Sequence, residues 1–231
     1  MDKRFLGILG GIIIVFIAIF AISQNSNNSS GNNTGTQATS HVEGNNAKGV
    51  TLVEYGDYEC PICGEYYQPL KDAVAQYTND IHFQFRNLPL TSIHQNAFAG
   101  ARAAEAAALQ GKFWQMHDKL YENQDRTGAS GWVVSKDPLN EYFVNFAKQI
   151  GIGDIDKFKT DYASGQVNDT INADLAAFGK THQEMATPTF FLDGAYLPNT
   201  SLVDSQNPSG GPTADRIGAA IKAEIDKKAG H

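Results

Sequence analysis

Cys60 and Cys63 are the only two cysteines in the chain, three residues apart around Pro61 and Ile62. A thiolate is the attacking species in disulfide exchange, and a second thiol three residues on can resolve the mixed disulfide that forms. A helix starting at the first cysteine would turn free N–H groups and the positive end of its dipole toward that sulfur, favouring thiolate over thiol. A bridge across so short a loop removes little unfolded-chain entropy, which makes a purely structural disulfide unattractive. Half of a zinc site is the competing reading, but such a site normally needs four Cys or His ligands. His82, His94, His117 and His182 show no paired ligand spacing, so no metal is expected. His94 reads as a surface or capping residue and is left outside the site. A redox-active dithiol needs no further cofactor.

The elements that must position this pair are legible around it. Val50-Thr51-Leu52-Val53-Glu54-Tyr55 reads as a buried strand ended by Gly56-Asp57. Glu65 to Tyr77 carries Tyr66, Leu70, Val74 and Tyr77 at helical spacing. Ile81 to Arg86 alternates like a second strand and stops at Leu88-Pro89. A helix between two strands makes a crossover, hence a parallel pair. Helical sequence follows at Ser92 to Leu109, Lys112 to Asn123, Pro138 to Ile150, Ile155 to Tyr162 and Val167 to Lys180. Within it, Phe113, Trp114, Met116 and Tyr121 read as packing residues. Strand character returns at Thr189 to Leu192, where Asp193-Gly194 turns the chain into Ala195-Tyr196-Leu197. Asn199 to Pro212 reads as a loop, and Thr213 to Lys228 as a closing helix whose lysines suit its dipole. The expectation is an α/β domain over 49–231, with a helical insertion at about 92–184.

The N-terminus differs in character. Lys3 and Arg4 precede an uncharged apolar run from Phe5 to Ile22. As a helix that run would be about 27 Å long, nearly the hydrocarbon thickness of a bilayer. Positive charge on the leading side predicts that this end stays cytoplasmic and the rest is exported. Residues 1–22 therefore read as a membrane anchor, with a cleaved signal peptide as the alternative and a secreted or periplasmic product as its consequence. Residues 23–48, rich in Asn, Ser, Gly and Thr, read as a flexible polar tether. Such a tether cannot supply a packed dimerisation module, so a monomer is expected. The net charge of −7 argues against a nucleic-acid partner.

Three segments carry a resemblance: Glu54-Tyr55-Gly56-Asp57-Tyr58-Glu59-Cys60-Pro61-Ile62-Cys63, Phe85-Arg86-Asn87-Leu88-Pro89-Leu90, and Ala186-Thr187-Pro188-Thr189-Phe190-Phe191. In this order, over about 50–228, they resemble the DsbA type of thioredoxin-fold thiol–disulfide oxidoreductase, in which a helical domain interrupts the thioredoxin core. Ala101 to Gln124, including Gly111-Lys112-Phe113-Trp114, is similar to the membrane-tethered bacterial branch of that family. The resemblance implies extracytoplasmic disulfide exchange with unfolded or partly folded exported proteins. A membrane redox partner, linked to quinones, would regenerate the bridge. Cys60 is then the attacking thiol, partly exposed at the helix start, and Cys63 the more buried resolving thiol.

The same resemblance assigns Thr187-Pro188 to a cis-proline loop facing the cysteines. There the backbone of Thr187 could pair with an extended substrate, while an ordinary trans proline is the alternative. Glu54, in an apolar strand, would be desolvated, its pKa raised, and able to exchange protons with the resolving thiol. The family's acidic residue at the matching position supports that role; a solvent-facing Glu on an edge strand is the alternative. Thr187, Tyr58 and Glu59 should border the site. One departure stands out: the best-known oxidases carry a His between the cysteines, and this chain has Pro61-Ile62. Asp57 and Glu59 also place negative charge beside Cys60, which would oppose the thiolate and make the bridged form less oxidising. An oxidase is the leading expectation. An isomerase or reductase on the same fold is one alternative, and a non-catalytic chaperone or peptide-binding module is another.

Overall fold

The computed structural model describes residues 38–204 and 210–230. Five strands form one mixed sheet in the order β1-β3-β2-β4-β5: β1 (His41–Glu43), β2 (Val50–Gly56), β3 (Ile81–Asn87), β4 (Thr189–Leu192) and β5 (Ala195–Leu197). Helix α1 (Pro61–Gln76) connects β2 to β3, which run parallel in a register from Val50↔Ile81 to Gly56↔Asn87. β4 lies antiparallel on the other side of β2. Asp193 and Gly194, at φ 51° and 83°, form the tight turn into β5; left-handed backbone at both positions matches the twist of a hairpin.

Five helices fill the interval between β3 and β4: α2 (Ala97–Ala108), α3 (Phe113–Glu122), α4 (Val144–Gln149), α5 (Ile155–Tyr162) and α6 (Gly165–Gly179). Helix α7 (Ala214–Ala229) follows β5. Asp154, Ser164 and Thr213 cap α5, α6 and α7 by accepting from Lys157, Val167 and Arg216 backbone N–H groups, each worth about 1 kcal/mol. α2 starts later than the Ser92 expected from sequence. Asn96 instead donates its side-chain amide to the carbonyls of Trp132, Val133 and Ser135, so the preceding residues serve as a brace. The single helix expected over 138–150 is a π-helical turn at Leu139–Phe143 followed by α4, with Phe143 packed on Trp132.

Alternation along β2 divides the core. Val50 and Leu52 pack with Leu70 and Val74 of α1 and Ile217 and Ile221 of α7. Tyr55 turns to the other face, against Phe178 of α6. The insertion has its own core of Met116, Leu120, Trp132, Phe143 and Phe158, closed by the buried alanines of α2 and continuous with Tyr58 and Phe85.

Part of the stretch read as tether up to residue 48 is a strand, β1. β1 pairs antiparallel with β3 in the register His41↔Phe85. Just before it, Thr39 donates its N–H and hydroxyl to the two carboxylate oxygens of Asp174, at 2.6 and 2.8 Å. Asn87 adds its N–H to Asp174 at 2.8 Å and its side-chain amide to Glu105 at 2.7 Å. His41 Nε2 lies 3.0 Å from both Glu105 oxygens, its ring stacked on Phe113. This segment is ordered by what it touches, and its polar composition conceals that. The expected anchor at 1–22 and the tether residues 23–37 lie outside the described residues. Among the described residues no helix is long and apolar enough to cross a membrane.

Candidate active site

Cys60 is the N-cap residue of α1, and Pro61 occupies the first helical position. Proline fits there because its φ is already helical and its missing N–H would have found no helical partner. The Cys60 side chain caps nothing, which leaves its sulfur free to meet the groups around it. Both thiols are unbridged in this structure. A hydrogen bond from the Cys63 thiol is the largest influence on Cys60, opposed by burial and helped by Thr187 and the N–H groups of Cys63 and Ile62. The result lowers its pKa to about 6. Burial pushes the Cys63 thiol well up, and the neighbouring Cys60 sulfur adds to that. One sulfur is therefore a thiolate at neutral pH while its companion keeps a proton.

The late loop faces this pair. The Thr187–Pro188 peptide bond is cis, and the Cys60 thiol donates to the Thr187 carbonyl at 3.4 Å. The Thr187 hydroxyl is buried without a hydrogen-bond partner of its own and favours the thiolate once Cys60 ionises. Asn199 anchors the loop by donating to the Pro188 carbonyl at 2.9 Å. Cys60, Cys63, Pro61, Thr187 and Pro188 thus meet as the motifs anticipated. Ile62 forms an exposed apolar lip beside them, at 45% exposure.

Cys60 is not partly exposed, as the sequence suggested, but 5% exposed. The insertion reaches over it. Gln124, two residues beyond α3, donates its amide to the carbonyls of Tyr58 at 2.7 Å and Cys60 at 2.9 Å. A Cβ on Gly64 would run into the Gln124 side-chain oxygen, so glycine leaves room for this clamp on the first turn of α1. No motif marks Gln124, and sequence reasoning missed it.

Glu54 lies in the middle of the sheet, paired with Phe85 on one side and Phe190 on the other, and is 3% exposed. The edge-strand alternative is thereby excluded. Among the described residues its carboxyl has no side-chain hydrogen bond. It borders a narrow cavity of about 40 Å³ lined also by Tyr67, Lys71, His117, Asp118 and Tyr121, room for a water or two. Burial first, then the charge of Cys60, pushes the Glu54 pKa up to about 8. At the outer end, Lys71 donates to Asp118 at 2.8 Å and Tyr67 donates to it at 2.9 Å. Burial holds His117 down at about 3, so it adds no charge to the cavity.

Asp57 and Glu59, expected to work against the thiolate, are engaged elsewhere. Asp57 accepts from the N–H groups of Glu59 and Leu90 at 2.8 and 2.9 Å, and lies 2.7 Å from His94 Nδ1. Glu59 accepts from the Asn96 N–H at 2.5 Å. His94, set aside on sequence, therefore belongs to the site's immediate surroundings; the Asp57 contact raises its pKa. Among the described residues no group of three or more His, Cys, Asp or Glu is arranged to hold a metal ion.

Comparison with known proteins agrees with this geometry. Residues 36–208 match the family model described as Thioredoxin. BdbD from Bacillus subtilis superposes with a TM-score of 0.64 at 22% identity, covering 83% of this chain and 97% of that one. The thiol-disulfide exchange protein alpha-DsbA2 from Wolbachia pipientis gives 0.60 at 18% identity, covering 84% and 90%. Among curated sequences, the Na(+)/H(+) antiporter NhaA 3 of Salinispora tropica is 35% identical over 154 residues, 67% of this chain. The chain spans only 22% of that antiporter's length. With its CxxC at a helix start, its facing cis proline and its helical insertion, the chain has a DsbA-like fold and belongs to the thioredoxin family.

Proposed function

We propose that this protein donates the Cys60–Cys63 disulfide to exported proteins, outside the cytoplasm, and is then reoxidised by a membrane redox partner. In the forward reaction a substrate thiolate attacks the Cys60 sulfur, and the Cys60–Cys63 bond breaks. Cys63 leaves and takes up a proton, which its raised pKa demands. Glu54, protonated at neutral pH, is the group suited to supply it, and the cavity beside it offers a route to replace that proton from water. A second substrate thiolate then attacks the substrate sulfur of the mixed disulfide and releases Cys60 as a thiolate. The substrate dithiol is oxidised and the enzyme pair reduced, two electrons passing between them. Thr187 and Pro188 would hold the extended substrate across the gap, through backbone pairing.

The observation that carries the direction is the stabilised Cys60 thiolate, at about 6. That sulfur is held down by the Cys63 thiol, Thr187 and the N–H groups of Ile62 and Cys63, and a stabilised reduced form makes the bridged form more oxidising. An anchor at Phe5 to Ile22 and a tether would keep the domain near its recharging partner. The likeness to an antiporter reaches 22% of that protein's length and brings no ion exchange to this chain.

The test is the equilibrium reduction potential of the Cys60–Cys63 pair against glutathione. A potential clearly above about −270 mV, the thioredoxin value, is expected. A value at or below it would assign the protein to reduction instead. Trapping substrate adducts in a Cys63→Ala variant, with adducts at Cys60, checks the order of the two thiols.

A further inference from the structure

The residues between β2 and α1 carry an arrangement that disulfide exchange on this fold does not by itself require. Asp57 touches both halves of the dithiol through its backbone: its carbonyl accepts from the Cys60 N–H at 3.1 Å, and its N–H points at the Cys63 sulfur, 3.5 Å away. Its buried carboxylate is held by the Glu59 and Leu90 N–H groups and by His94. His94 stands in the brace before α2, its Nδ1 2.7 Å from Asp57 and its side chain 15% exposed. A cavity of about 340 Å³, shared by Glu59, Pro61, His94, Asp125 and Arg126, opens beside the ring and admits water to it. A carboxylate buried this close to a thiolate destabilises it unless a cation is paired with the carboxylate.

We propose that His94 is a positioning residue for Cys60: as an imidazolium it cancels the charge of Asp57 and holds that residue against both sulfurs. The Cys60 thiolate is then at its most stable while His94 carries its second proton. The charge missing from the Pro61-Ile62 dipeptide is thus supplied from the other end of the site. This role rests on the dithiol being redox-active, as argued above, but not on its direction. Groups facing the ring agree with it. Asp57, Cys60 and Glu59 all favour the imidazolium, burial disfavours it, and Asp125 and Arg126, of opposite charge, line the same cavity. Because each charge stabilises the other, the two titrations are coupled and the linkage is reciprocal.

Two measurements test the coupling. In the first, the His94 ring is titrated by NMR in the full chain, reduced and oxidised. A midpoint at least threefold higher in proton affinity is expected for the reduced protein, where the thiolate is present. Equal midpoints in the two redox states would overturn the proposal. In the second, Cys60 ionisation is followed by thiolate absorbance in wild type and His94→Gln. The variant is expected to need about tenfold lower proton concentration for half-ionisation, with a tenfold less oxidising equilibrium, about 30 mV. An unchanged Cys60 titration in folded His94→Gln would also sink it. If that variant does not fold, the wild-type NMR comparison still decides. A thioredoxin-like potential combined with intact coupling would defeat only the oxidase direction; an oxidising potential without coupling would defeat only the role of His94.

Discussion

Glu54 and Asp174 are both buried carboxyl groups, and burial raises the pKa of each. Their surroundings differ. Asp174 accepts four hydrogen bonds, from the N–H and hydroxyl of Thr39 and the N–H and amide of Asn87, and these draw its pKa back down. Glu54 has no such donors, and both influences on it push upward. Asp174 joins β1, β3 and α6, whereas Glu54 joins nothing and borders a cavity. Burial alone therefore does not mark a functional acid. A carboxyl whose donors are fixed holds architecture together, and one that is buried and unpartnered has a proton to exchange.

Substitutions at the two acids should separate these roles. Asp174→Ala leaves the backbone N–H groups of Thr39 and Asn87 unpaired in the interior, and a loss of about 3–5 kcal/mol in urea unfolding is expected. The surviving folded fraction should exchange disulfides at the wild-type rate; a slowed reaction at unchanged stability would reverse the comparison. For Glu54→Gln the expectation is opposite. In the reduced wild type, Glu54 keeps its proton to about pH 8, while an unfolded carboxyl releases it near 4.5. The unfolded state thus binds fewer protons across that window, and wild-type stability falls as pH rises through it. Glu54→Gln removes this fall. It should match wild type below pH 4.5 and exceed it above pH 8 by on the order of 5 kcal/mol. Stopped-flow release of Cys63 should meanwhile slow about 100-fold.

Smaller effects sharpen the picture around the thiols. Gly64→Ala drives a methyl into the Gln124 side chain, and a destabilisation of about 1–3 kcal/mol is expected from thermal unfolding. The Gln124 clamp should be lost with it, so faster alkylation of Cys60 is the companion readout. Thr187→Val removes the one hydroxyl that favours the thiolate. A rise of about 0.5–1 unit in the Cys60 pKa, read at 240 nm, is the expected outcome. No rise would mean that the Cys63 thiol and the N–H groups of Ile62 and Cys63 hold the thiolate by themselves.

The parallel β2–β3 pair, the β4–β5 hairpin and the helical block were legible because each follows from local period and turn chemistry. Val50 to Tyr55 and Ile81 to Arg86 have strand patterns, and Asp193-Gly194 takes the conformation its residue types favour. The cysteines and Thr187-Pro188 were legible as motifs. What escaped depends on partners far away in sequence. β1 owes its order to β3 and to Asp174, 135 residues from Thr39. Gln124 acts on carbonyls 64 and 66 residues before it, and His94 on an acid 37 residues away. The charge beside Cys60 was visible in Asp57 and Glu59, but their partners His94 and Asn96 were not. A chain shows its charges in order and leaves their pairing to the fold.

The three residues of β1 also change what the sheet offers to its surroundings. Laid along β3, they cover the middle of that flank, and the two edges among the described strands are then the three-residue β1 and β5. Long bare flanks invite other extended chains to add on and stay. Under the proposed function, short edges of this kind limit where an unfolded polypeptide can adhere outside the gap between the sulfurs and the proline loop, where contact ends when the bond has moved.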